Sequence, residues 1–363
     1  MTTPATNTSD AHTANTPAPA ADAHTPCRLA YLGPRGTFTE QALHDFVAEG
    51  KIPGLATAVN TTRTPATTAH TPDTTAANTA AIEQLPVESP TAALNAVRRG
   101  DADFAVVALE SAVDGSVTQT EDALMTGSPV HIFNEVVVPV EFAIMTRPGT
   151  TLDQVRTISC HPVAHAQIRD WLATHLPHAR FVPAASNGAA AASVATGEID
   201  AAAAPTRAAD LHGLSIHHTG VADVPGAFTR FVLVGRPGTP TPRSGQDRTS
   251  IILTLKNRPA SLQEALMELS MRGVDLSRIE SRPLRNPGGS IMGIYVFHID
   301  MVGHIEDDAV AEALAALHRN SEDMRYLGSW PIANVGVSMH AGSAPADFGD
   351  SWKQVRAWAR GDE

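Results

Sequence analysis

Residues 223–236 read Asp-Val-Pro-Gly-Ala-Phe-Thr-Arg-Phe-Val-Leu-Val-Gly-Arg. The Pro225-Gly226 turn signal runs straight into an apolar, β-branched stretch at 231–234, which predicts a strand. Thr229, Arg230 and Phe231 stand where that strand begins. A hydroxyl, a guanidinium and an aromatic ring at one strand entrance can donate a proton, hold a carboxylate and exclude water. The same trio also fits an ordinary strand start, with Thr serving β-propensity and Arg solvated. The flanking sequence decides between the two.

N-terminal to this stretch the pattern is strand, loop, helix, strand, stated twice. Residues 28–32 predict a short strand, followed by Gly33-Pro34-Arg35-Gly36-Thr37-Phe38-Thr39 and a helix from Glu40 to about Ala48, capped by Thr39. The amides and hydroxyls of that turn can hold an anion at a helix N-terminus, or simply make a tight capped turn. No Gly-Lys-Ser/Thr ending follows, which argues against a nucleotide P-loop. Ser89 caps a Pro90-started helix, and 103–109 is an apolar strand. Beyond it, Glu110 and Ser111 either line a cleft or belong to a surface loop turning at Asp114-Gly115. Strands are expected at 135–145, 155–160, 181–182 and 199–204, with helices after His161-Pro162 and after Ser186-Asn187-Gly188. Two α/β lobes and a return strand near Thr229 imply a cleft between lobes. Gln167 and Asn187 are further polar candidates for that cleft.

C-terminal to the opening stretch, residues 237–248 form a Pro/Gly/Thr/Arg linker. Strands at 250–255, 276–281, 291–301 and 324–327 and helices at 260–271 and 308–319 then give the order βαββαβ, a ferredoxin-like module. Glu280-Ser281-Arg282-Pro283 ends one of its strands, either as a solvated strand end or as a small-ligand site at a subunit interface.

Composition bounds the rest. The 363 residues suffice for two or three domains. A net charge of −12 argues against a nucleic-acid partner but leaves room for a small anionic substrate. There is no membrane-length apolar run and no secretory pattern at the start, so neither a membrane partner nor export is expected. Two cysteines, Cys27 and Cys160, fit a reducing, cytoplasmic setting. His161 and His165 are spaced i, i+4, yet no zincin Glu or third ligand accompanies them, so no metal is expected. Residues 1–27 form a Thr/Ala/Pro-rich tail that is expected to be disordered, 56–81 a low-complexity surface insertion, and 332–363 a C-terminal tail with one short helix at 352–359.

Three stretches taken in order, residues 31–39, Thr229-Arg230-Phe231 and Glu280-Ser281-Arg282-Pro283, resemble the prephenate dehydratase family, of the monofunctional bacterial type. The resemblance runs from about Arg28 to Trp330 and implies a two-lobed catalytic domain at 28–236, like type 2 periplasmic binding proteins. It implies an ACT regulatory domain at 249–331. The implied reaction is the decarboxylating dehydration of prephenate to phenylpyruvate, without a cofactor. Arogenate as substrate and a weakened amino-acid-sensing homologue are the alternatives. The implied catalytic set is Thr229, Arg230 and Phe231, with Thr229 as donor to the departing hydroxyl. Substrate contacts would come from Thr37, Phe38, Thr39, Glu110, Ser111, Gln167 and Asn187. L-phenylalanine would bind around Ala260, Ser261, Leu262, Glu280, Ser281 and Arg282 in a homodimer or homotetramer. Three departures stand out: Glu110-Ser111-Ala112 where the family has Glu-Asn-Ser, Phe228 where Arg is common, and Pro259-Ala260-Ser261-Leu262 for Pro-Gly-Ala-Leu.

Overall fold

The computed structural model describes residues 26–55, 82–286 and 289–333. The expectations for most of the N-terminal tail, the insertion and the C-terminal tail fall outside the described residues. Strand β1 (Cys27–Leu32) leads into helix α1 (Phe38–Ala48), and β2 (Ile82–Val87) into α2 (Pro90–Arg99). Then come β3 (Phe104–Ser111), the short β4 (Gly115–Ser116), α3 (Thr118–Met125) and β5 (His131–Pro139). The chain returns to this first sheet as β11 (Phe228–Gly235), giving the order β2-β1-β3-β11-β5 with β4 on β3. β1 runs parallel to β2 and β3, whereas β11 is antiparallel to both neighbours.

Between β5 and β11 lies a second sheet. Its elements are β6 (Ala143–Thr146), β7 (Thr157–Cys160), α4 (Pro162–Ala166), α5 (Arg169–His175), β8 (Arg180–Pro183), α6 (Asn187–Thr196), β9 (Ala201–Ala204), α7 (Thr206–His212) and β10 (Ser215–His218). The strand order is β10-β6-β9-β7-β8. The chain therefore crosses between the two mixed sheets twice, at 140–142 and at 219–227. The single strand expected at 135–145 is two strands, because Val140, Glu141 and Phe142 make the first crossing.

The third sheet comprises β12 (Asp247–Thr254), α8 (Ser261–Ser270), β13 (Leu276–Asn286), β14 (Gly289–Val302), α9 (Asp308–Asn320) and β15 (Asp323–Pro331), all its strands antiparallel in the order β13-β14-β12-β15. Its strands are longer than the sequence pattern indicated. Pro283 lies inside β13, where an edge strand and a register shift tolerate its missing donor. β12 begins at Asp247 because that carboxylate receives the Ser244 and Gly245 amides, which ties the end of the expected linker to the strand.

One face of the first sheet buries Leu29, Tyr31, Leu43, Phe46, Phe231 and Leu233. The opposite face joins Leu94, Val97, Val107 and Val234 to Ile252, Leu327 and Trp330 of the third sheet in one apolar cluster. The approach is close: a Cβ on Gly328 of β15 would lie 2.2 Å from the Ile132 carbonyl oxygen of β5. The described residues through Ile332 accordingly make one compact unit.

Candidate active site

The helix starts build this site. Thr37, in extended backbone, caps α1 by accepting the Glu40 amide at 3.2 Å. The expected cap at Thr39 is thus corrected. Thr37 satisfies an otherwise orphaned amide, so α1 starts two residues earlier and Thr39 is buried in its first turn. Glu40 then reaches back to the Gly36 amide at 2.6 Å and to Arg35 at 3.2 Å. From α7, Arg207 approaches the same carboxylate at 3.4 Å. Burial alone would raise the Glu40 pKa. The hydrogen bonds of His44, the Gly36 amide and Arg35, with the charge of Arg207, outweigh it and bring the pKa down to about 2. The turn at 33–37 is therefore clamped from both sheets. Gly188, at the start of α6, permits the approach, since a Cβ there would lie 2.5 Å from the Arg35 carbonyl oxygen.

These elements enclose a cavity of about 450 Å³, a size suited to a small organic ligand. Thr37, Phe38, Thr39, Ser111, Gln167, Asn187, Thr229 and Phe231 all line it, drawn from strands of the first sheet and from the ends of α1, α4 and α6. Thr37, Val117 and Ser186, the N-caps of α1, α3 and α6, face the same space, as does Pro90 at the start of α2. First-turn amides lack intrahelical partners and lie at the positive end of the helix dipole. Among the described residues lining the cavity there is no Lys or Arg. Positive potential at its wall comes from helix ends. Phe38 and Phe142 meet edge to face at 5.6 Å and, with Val140 and Phe231, give an apolar side.

Two expected site residues lie elsewhere. Thr229 and Phe231 face the cavity, so Arg230, between them on β11, points to the other side of the sheet. Its side chain is 5% exposed and bonds to Glu110 at 3.1 Å, Glu135 at 3.2 Å and Asp300 at 2.7 Å. Glu110 is turned with it and is absent from the cavity wall. Both residues leave the ligand-contact set for the same reason, strand alternation. Ser111 shapes the adjoining turn by accepting the Val113 and Asp114 amides.

Asn187 accepts the His161 amide at 2.8 Å, and Gln167 donates to Asp114 at 2.7 Å across the cavity. Asp114 and Ser116 are cavity residues that the sequence reading did not single out. Asp114-Gly115 carried only a turn signal, and the partner of Asp114 lies 53 residues away. Ser116 donates to Glu280 of β13 at 3.1 Å and accepts from Arg278 at 3.0 Å. Arg282 pairs with Asp122 of α3 at 3.0 Å. Ser281 is exposed, and Ala260, also exposed, holds the left-handed conformation at φ 68°.

Neither cysteine is poised as a nucleophile. Burial pushes the Cys160 thiol up to about 12, and burial aided by Asp103 takes Cys27 to about 11. His161 accepts the Val163 amide, while His165 stacks on Phe181 at 3.8 Å. Among the described residues no cluster of three His, Cys, Asp or Glu is placed to hold a metal. Nor is any helix of the described residues long and apolar enough to cross a membrane.

Fold and cavity together define a two-sheet α/β protein with a cavity of small-ligand size, fused to an antiparallel α+β module. The prephenate dehydratase family model matches residues 29–239. A prephenate dehydratase of Mycolicibacterium vanbaalenii is 48% identical over 324 residues, covering 89% of this chain and 96% of the relative. The crystal structure of an Arthrobacter aurescens prephenate dehydratase in complex with L-Phe is 37% identical, with a TM-score of 0.71, covering 92% of this chain and 98% of that one. A protein described as a quorum-quenching acylase is 27% identical with a TM-score of 0.67, covering 85% of this chain and all of its own. The chain belongs to the prephenate dehydratase family.

Proposed function

We infer that this chain converts prephenate to phenylpyruvate, with Thr229 as the group that eases the ring hydroxyl away. The observation that carries the reading is the position of Thr229 on the wall of a cavity that the start of α1 at Thr37–Thr39 and Gln167 also line. Prephenate is a dianion whose ring gains aromaticity when carbon dioxide and water depart. As the ring carboxylate leaves, its bonding pair enters the ring and the C–O bond of the hydroxyl breaks. Negative charge then builds on the departing oxygen. The Thr229 hydroxyl donates a hydrogen bond to it and passes a proton only as that oxygen becomes basic; solvent restores the proton. The starts of α1 and α6 hold the carboxylates with backbone amides, as helix N-termini hold anions elsewhere. Phe38, Phe142 and Phe231 keep the ring face dry. The scheme uses no metal or organic cofactor.

The two-lobed catalytic region resembles type 2 periplasmic binding proteins, and the βαββαβ module is a ferredoxin-like ACT domain. The domain limits proposed are 28–236 and 249–331. L-phenylalanine is the proposed effector, by likeness to the Arthrobacter protein. The module reaches the cavity wall through the Glu280–Ser116 contact, so an effector that engages Glu280 alters that wall. Met267, Met271 and Tyr295 are exposed apolar side chains of the module, suited to self-association into a dimer or tetramer.

Purified protein with prephenate, followed by phenylpyruvate enolate absorbance in alkali with and without phenylalanine, tests the reading. Turnover that phenylalanine modulates is expected; no turnover would refute it. Asp114 supports a second reading. A carboxylate in the cavity would attract the ammonium of arogenate, which carries an amine where prephenate has a ketone. Under that reading Asp114→Asn lowers kcat/KM for arogenate far more than for prephenate. Equal losses would exclude it.

A further inference from the structure

Arg230 neighbours the proposed catalytic threonine, yet its three carboxylate partners come from three different strands. Glu110 belongs to β3, Glu135 to β5 and Asp300 to β14 of the third sheet. Asp300 is fully buried and lies closest to the guanidinium, at 2.7 Å. Arg248 and Arg278 each stand 3.7 Å from the same carboxylate oxygen. Burial would raise the Asp300 pKa, but the charges of Arg230, Arg278 and Arg248 bring it down to about 2. Glu135 is held independently, by Arg248 at 3.2 Å and the Trp330 indole at 3.0 Å.

The backbone around Thr229 is where such an anchor matters. The β11–β3 register shifts between Arg230 and Phe231: Arg230 faces Glu110, but Phe231 faces Ala108, leaving Leu109 as the extra residue. A bulge breaks the ladder and frees the strand end to bend and twist. Thr229, opposite Ser111, lies just beyond the break. The Arg230 fork spans both neighbouring strands at the level of the break.

We propose that Asp300 is a positioning residue for the reaction: it locks Arg230 across the bulge and so fixes the Thr229 hydroxyl against the cavity. The third module thereby contributes to turnover through a side chain 70 residues downstream of Arg230. This inference rests on the dehydratase reading. A wild-type protein that fails to turn over prephenate refutes that reading, whereas the variants below test Asp300 alone.

The experiment measures kcat and KM for prephenate in full-length Asp300→Asn, Arg230→Lys, the double variant and Leu317→Ala, each below its own melting transition. Asp300→Asn is expected to lower kcat about 10- to 100-fold, as small misplacements of a reacting group do, with KM changed less than about threefold. Arg230→Lys keeps the charge but loses the fork and should show the same split. The double variant should be no slower than the slower single variant, because both break one anchor. Leu317→Ala opens a cavity in the core of the same module and should lower the melting temperature while leaving kcat unchanged. Should Asp300→Asn fail to fold, Asp300→Glu keeps the charge and displaces the carboxylate by one methylene, and a fall in kcat is again expected. A folded Asp300 variant with wild-type kcat overturns the proposal. So do multiplicative losses in the double variant, or an equal kcat loss in Leu317→Ala.

Discussion

The two faces of β11 use opposite electrostatics. Thr229 and Phe231 look into a cavity whose wall has no Lys or Arg among its described residues, and where helix N-termini supply positive potential. Arg230 looks into a buried cluster of formal charges with Glu135, Asp300 and Arg248, edged by the partly exposed Glu110. Fixed backbone dipoles suit a site that must admit and release a dianion, since they need no counter-ion when the ligand leaves. Paired buried ions suit a joint that must not open, because an unpaired buried charge costs several kcal/mol. Alternation along a single strand lets three consecutive residues serve both ends.

The comparison can be broken first at the joint. Gly328→Ala would put a Cβ 2.2 Å from the Ile132 carbonyl oxygen and force a side chain onto a φ of 142°. We expect a loss of about 3 kcal/mol or more in denaturant unfolding, from backbone strain and overpacking together. Wild-type stability would mean the two sheets are not in tight contact.

Acid should also act on both sides. Glu40 and Asp300 have folded pKa values near 2, below the ordinary carboxylate range, so their stabilisation is complete above that range and is lost as pH falls towards 2. For Glu40 this amounts to about 3 kcal/mol. Unfolding free energy should hold level on this account above pH 5 and drop between about pH 4.5 and 2. Glu40→Gln should flatten part of that drop, and an unchanged acid limb would contradict the assignment.

On the cleft side, Gly188→Ala would press the α6 start against the Arg35 carbonyl oxygen. A cost of about 2 kcal/mol and a raised KM for prephenate are expected, with kcat less affected. A wild-type KM would detach the 33–37 turn from substrate binding. The smallest effect belongs to Ala260, which occupies the left-handed region and makes no side-chain cap for α8. Ala260→Gly should stabilise by about 1 kcal/mol, read as a rise in melting temperature. A fall would show that the strain is imposed by nothing local.

Local chemistry was legible in the sequence. The turn that opens at Gly33, the Ser89 cap, the helix start at Ser186-Asn187-Gly188, the return strand at β11 and the element order of the third sheet all follow from spacing and residue type. Thr37-Phe38-Thr39-Glu40 even carries the Thr-x-x-Glu signature that marks Thr37, not Thr39, as the cap. Long-range partners were not legible. The acids around Arg230 lie 120, 95 and 70 residues away. Ser116 meets Glu280 across 164 residues. Nothing in the local pattern around Arg230 distinguishes a guanidinium for a ligand from one for a buried ion cluster. Period-two alternation does put it on the opposite face from Thr229, and that signal separates the two once Thr229 is assigned to the cleft.

The most direct test compares Thr229→Val with Thr229→Ser at saturating prephenate. Valine keeps the shape and removes the donor; serine keeps the donor and removes a methyl. The account predicts a fall in kcat of about 10²- to 10³-fold for Val and a residual rate within about tenfold of wild type for Ser, with both variants folded. A valine variant that releases phenylpyruvate at a near-normal rate would contradict it.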